Sequence, residues 1–168
     1  MPGAGPGRAA AARPERGAGT SPERARIVAA ARLWIGTPYR HQASCLGAGA
    51  DCLGLVRGVW RGLYGAEPEA APAYTQDWSE PQGAERLWAA AARHLRPRPA
   101  GSGWAPGEVL LFRMRAGAVA KHLGILSRGG AAPAFIHAYS GRGVVESPLS
   151  APWARRVVAR FDFPLEVR

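Results

Sequence analysis

The chain has 168 residues, enough for one domain with its own core, and 47% of them are hydrophobic, a share inflated by alanine. Its net charge of +10 comes almost wholly from arginine, with Lys121 the single lysine, and with the abundant Ala, Gly and Pro this reads as a GC-rich coding bias. No basic run interleaved with aromatics and no zinc-finger spacing accompanies the charge, so nucleic acid is not an expected partner. No apolar run approaches the roughly 20 residues of a membrane span, and membrane insertion is not expected.

Residues 1–20 are rich in Gly, Pro and Ala with scattered arginines, and read as a flexible N-terminal arm ahead of a folded domain at 21–168. They hold no continuous apolar core of a secretory leader, so a protein made in the cytoplasm would need another route to any site outside it. Ser21-Pro22-Glu23 starts a helix with an N-cap, a proline at the first position and an acid in the first turn. Ile27, Val28, Ala31, Trp34 and Ile35 follow at helical spacing, and Gly36 with Thr37-Pro38 ends the run.

Tyr39 to Ala50 lacks periodicity and reads as a loop that delivers the chain to Asp51-Cys52. Asp51 suits an N-cap and Cys52 the first position of a helix carrying Leu53, Val56, Trp60 and Leu63 on one stripe. Gly54, Gly58 and Gly62 recur on another face, a pattern expected to let the helix lie close to a sheet. A helix N-terminus favours thiolate over thiol, whereas a free cysteine is also one of the most commonly buried residues; the stretch alone supports both readings of Cys52. Zinc would need a denser cluster than His41, Cys45 and Cys52 provide, so no metal or other cofactor is expected.

Residues 66–81 read as an irregular connection and about Gln82 to Leu95 as a helix burying Leu87, Ala91 and Leu95, with a solvated His94 at its end. Arg96-Pro97-Arg98-Pro99 breaks the pattern. Five apolar or alternating runs follow: Val109–Phe112, Lys121–Ser127, Ala134–Tyr139, Gly143–Glu146 and Arg156–Phe163. Helices first and hairpin-linked strands after predict an α+β domain whose antiparallel sheet has about five to six strands.

Two of the four histidines, His122 and His137, fall in consecutive strands of one predicted hairpin and roughly face each other. A thiol, a base imidazole and a second polar group that orients the base are the requirements of thiol-based acyl transfer.

Asp51-Cys52-Leu53-Gly54, His122-Leu123-Gly124-Ile125 and Ile136-His137-Ala138 resemble, in order, the three catalytic motifs of the NlpC/P60 cysteine peptidases. Gly36-Thr37-Pro38-Tyr39 resembles that family's tyrosine motif, and Pro106-Gly107-Glu108-Val109 its strand-opening turn. The resemblance runs from about Ser21 to Phe163. With Tyr39–Ser44 and Tyr74-Thr75-Gln76-Asp77-Trp78 it is nearest the branch of phage cell-wall peptidases found in prophages and gene transfer agents.

The resemblance implies a papain-like fold, Cys52 as nucleophile, His122 as general base and acid, and His137 as the orienting residue. Tyr39 and Asp51 would serve the substrate or the oxyanion. The implied substrate is a peptidoglycan stem peptide, cut at a bond of the D-glutamyl–diaminopimelate type. The implied setting is a phage-like tail, with tail or baseplate proteins as partners, acting at the bacterial cell wall. The chain departs from the pattern at Leu53, where serine is common, at His41, where tryptophan is common, and in a long insert at 66–105. Two rival readings stand beside it: an amidase or acyltransferase on the same scaffold, and a non-catalytic tail or hub protein.

Overall fold

A computed structural model describes residues 20–164 except 77 and 79; the arm expected at 1–20 lies, but for its last residue, outside the described residues. Helix α1 (Pro22–Arg32) opens as its sequence predicts, with the Ser21 hydroxyl accepting from the Arg24 N–H at 3.4 Å. It ends earlier than the spacing suggests. The α-helix gives way to turns after Arg32, so Ile27, Val28, Ala31 and Trp34 are buried while Ile35 turns outward.

The stretch before Cys52, expected as a plain loop, contains a small antiparallel pair, β1 (Ser44–Cys45) with β2 (Gly49–Ala50). Tyr39 bridges to Ala50 in parallel, which ties the tyrosine motif to the end of this ribbon. Helix α2 (Cys52–Tyr64) follows directly, closed by Gly65 at φ 86°. A short 3₁₀ turn (Glu80–Gln82) precedes α3 (Arg86–His94), and a four-residue α4 (Ala151–Ala154) lies before the last strand. The helix expected from Gln82 begins four residues later because Gly83, at φ 65°, breaks the backbone first.

The six-stranded antiparallel sheet comprises β3 (Arg96–Pro97), β4 (Val109–Phe112), β5 (His122–Arg128), β6 (Ala134–Tyr139), β7 (Gly143–Pro148) and β8 (Val157–Asp162). Its order is β3-β8-β4-β5-β6-β7. The α+β expectation holds, and the Arg96-Pro97 "breaker" turns out to be an edge strand, the place where a sheet tolerates proline.

Both faces of the sheet are covered, which explains why β4 is apolar at every position. Val109, Leu111, Leu123, Ile125, Ile136 and Phe161 pack on one face with Leu55 and Val59 of α2. Leu110, Phe112, Leu126 and Phe135 project to the other, closed by Leu149 and Trp153.

The glycines of α2 do not face the sheet. A Cβ on Gly58 would sit 1.9 Å from the Trp34 ring, and one on Gly54 would sit 1.8 Å from the Ala43 carbonyl oxygen. The close approach serves α1 and the β1 ribbon instead. Leu55 and Val59, fully buried, supply the face toward the sheet, while Leu53 and Leu63 of the expected stripe are only partly covered.

Candidate active site

Asp51 caps α2. Its Oδ1 accepts the Gly54 N–H at 2.7 Å, and its Oδ2 accepts the Gln42 N–H at 2.7 Å and the Tyr74 hydroxyl at 2.5 Å. The carboxylate is 2% exposed and its oxygens are engaged by the protein itself. It therefore fixes the loop, the helix start and the insert to one another. A cap of this kind contributes about 1 kcal/mol to its helix, and the two further donors would be orphaned without it.

Cys52 follows at the first helical position, 8% exposed, with its Sγ 3.9 Å from the carbonyl oxygen of Lys121, the residue before His122. Burial pushes the thiol up to about 12, and the neighbouring Asp51 carboxylate adds to this. Backbone N–H groups of Leu123, Leu53 and Cys52 itself pull the other way without prevailing. The helix N-terminus is thus outweighed by desolvation, and the resting group is a thiol.

The two histidines are within bonding distance, though not in the register expected. The β5–β6 ladder runs through Ile125↔Ile136 and ends there. Continued, that register would set His122 opposite Tyr139, so His137 lies two residues along, on a diagonal. His122 Nε2 is 2.9 Å from His137 Nδ1, and the rings meet edge to face. Burial pulls His122 down to about 3, with His137 adding to the effect, and pulls His137 down to about 4. Both are neutral imidazoles at rest.

Several contributors escaped the sequence reading. Trp153 of α4 packs 5.2 Å from the His137 ring and 5.9 Å from that of His122, while Phe135 lies 4.2 Å from His137 and Phe112 lies 5.6 Å from His122. Ser147 Oγ is 3.0 Å from His137 Nε2. Only Ser147's place on the strand after His137 could have suggested it, since an alternating strand puts some side chain there. Tyr74, in the insert, reaches Asp51 across 23 residues of sequence.

Tyr39 is half-buried, and its phenol is pushed up to about 12 by burial, with neighbouring Cys52 and Asp51 adding to the effect as they ionise. It remains a neutral donor at physiological pH. His41 is placed beside the insert, its Nε2 3.0 Å from the Tyr74 carbonyl oxygen. His94 pairs with Glu69 at 3.0 Å, away from this cluster and less solvated than expected. Cys45 and Cys52 are both free thiols, the former exposed.

Two hollows flank the insert. One, of about 620 Å³, is lined by Gln42, Tyr74, Thr75, Trp78 and Arg86. The other, about 390 Å³ and largely apolar, is lined by Leu53, Val56, Trp60, Leu87 and Leu123 among others. Leu53 and Leu123 are the chain neighbours of Cys52 and His122.

This arrangement of capped cysteine helix and two-histidine sheet is the NlpC/P60 fold. Among solved structures, the chain is similar to the NlpC/P60 domain of the peptidoglycan hydrolase SagA (23% identity, TM-score 0.57), over 83% of this chain and 98% of that one. It is also similar to NlpC1 from Trichomonas vaginalis (17%, TM-score 0.57), over 91% of this chain and 48% of that one. A third, Ly7917 (12%, TM-score 0.51), is matched over 86% of this chain and 63% of that one. No family model matches the sequence. No curated protein matches it either.

Proposed function

We propose that the protein is a cysteine endopeptidase that cleaves amide bonds in peptidoglycan stem peptides, of the D-glutamyl–diaminopimelate type, as part of a phage-like tail acting at the cell wall. The observation that carries the reading is the thiol at the start of α2 lying against the start of β5, where His122 is hydrogen-bonded to His137. The likeness in fold to a domain of a peptidoglycan hydrolase supports the substrate class. The resemblance of the motifs to the phage branch supports the setting.

In this reading the Cys52 S–H, which rests against the Lys121 carbonyl, turns to Nδ1 of His122, the ring nitrogen not bonded to His137, and gives up its proton as sulfur attacks the amide carbon. Because the resting pair is neutral, the proton leaves in the course of attack. The oxyanion falls to the Cys52 N–H and the Tyr39 hydroxyl. His122 then protonates the leaving amine, deprotonates a water molecule that attacks the thioester, and returns the proton to sulfur. Asp51 acts through the backbone it holds.

Digestion of purified sacculi by the wild-type protein and by Cys52→Ala, read by mass spectrometry, tests this. New stem-peptide fragments from the wild type alone are expected; none from either protein would refute the reading. The apolar hollow bordered by Leu53 and Leu123 favours a second reading, an acyltransferase or amidase on the same scaffold. It predicts a Cys52 thioester without release of stem-peptide fragments.

A further inference from the structure

The pair His122–His137 has a third member. Ser147 of β7 faces Phe135 across the ladder, so its side chain projects on the same sheet face as those of Phe135 and His137. Its Oγ lies 3.0 Å from His137 Nε2, while His137 Nδ1 lies 2.9 Å from His122 Nε2. Three polar side chains thus form one line across three adjacent strands, and each imidazole nitrogen in the line is met by a partner.

A chain of neutral hydrogen-bonding groups has a sense, and only one sense suits a base. A neutral imidazole carries one N–H and one lone pair. For His122 to take a proton at Nδ1, its own hydrogen must sit on Nε2, so Nε2 donates to His137 Nδ1. His137 must then carry its hydrogen on Nε2 and donate it to Ser147 Oγ. The opposite sense, with the Ser147 hydroxyl donating inward, would put a hydrogen on His122 Nδ1 and leave no lone pair for the thiol. Ser147 is half-buried on β7, between exposed Glu146 and Pro148, so its own hydrogen can point outward to water while its lone pair points in.

We infer that Ser147 is a positioning residue that holds His137 in the Nε2–H tautomer, and through it holds His122 with a free lone pair at Nδ1. The kinetic consequence rests on the peptidase reading; the tautomer does not. Hydrogen-bond partners that fix the tautomer of a metal-ligating histidine change function by roughly 10- to 100-fold when removed, and a drop of that order is expected here.

Long-range ¹H–¹⁵N correlation spectra of the histidine-labelled full chain read the tautomers directly. The wild type is expected to show His137 protonated at Nε2 and bare at Nδ1. Ser147→Ala is expected to lose that preference and to lower kcat on soluble muropeptides about 10-fold or more with KM unchanged. Ser147→Thr, which keeps the hydroxyl, is expected to restore both. His137 protonated at Nδ1 in the wild type, or a Ser147→Ala variant with wild-type tautomer and kcat, would overturn the inference. If the wild type cleaves no muropeptide, the proposed function falls while the spectra still decide the role of Ser147.

Discussion

The two faces of the sheet bury similar apolar side chains but handle ionisable groups in opposite ways. On the α2 face the buried group is a thiol at the rim of an aliphatic core, kept protonated by burial and by the capping Asp51 carboxylate next to it. On the other face two imidazoles stand among Phe112, Phe135 and Trp153 and are kept unprotonated. Desolvation thus acts in opposite directions on the proton count but toward one result, an uncharged resting pair. The lesson is that one physical cause, burial, holds the proton on sulfur on one face and keeps it off the imidazoles on the other.

The largest expected effect breaks the α2 face. Gly58→Ala would drive a methyl into the Trp34 ring, and unfolding in urea should show a loss of about 3 kcal/mol or more. Trp153→Ala comes next, opening the other face. A loss of about 2 kcal/mol is expected, together with a rise of the His137 titration toward 6.5 as water enters, read by NMR.

A third prediction separates the faces by pH. His122 and His137 are held below 6.5, at about 3 and 4, so the unfolded chain binds protons that the folded one refuses. Their contribution is whole above pH 6.5 and is lost as pH falls through 4 to 3. Cys52 is held above 9.0, at about 12, so its contribution is whole below pH 9 and is lost as pH rises toward 12, with Tyr39 adding to that limb. Thermal melts against pH should show both limbs, and Cys52→Ala should reduce the alkaline one while leaving the acid one.

The smallest effect is a gain. Gly62→Ala meets open space on α2 and should stabilise by about 0.5–1 kcal/mol in the same urea assay, in contrast to Gly58→Ala one turn away.

What the sequence disclosed follows the range of the forces involved. The Ser21 and Asp51 caps, the start of α2 and five of the strands depend on neighbours within a few residues, and their signals are local. The direction of the α2 glycines was not legible, because Trp34 reaches Gly58 only after α1 and α2 pack. The histidine pair was recognisable as a pair. Its diagonal register was not, because strand pairing ends at Ile125↔Ile136 for reasons no alternation of residue types records. Trp153, Ser147 and Tyr74 act from separate elements, and their residue types alone carry no sign of what they touch.

The bond from the Tyr74 hydroxyl to Asp51 has a consequence for anyone wishing to shorten this protein. The 66–105 segment looks dispensable on a length comparison, an ornament on a smaller enzyme. Yet its phenol satisfies a sunken carboxylate directly beside Cys52, and Glu85 from the same segment accepts the Ala120 N–H at 2.9 Å just ahead of His122. A minimal version would lose one strut beside Cys52 and another just ahead of His122, so a trimmed chain needs a replacement donor to Asp51 before it is worth expressing.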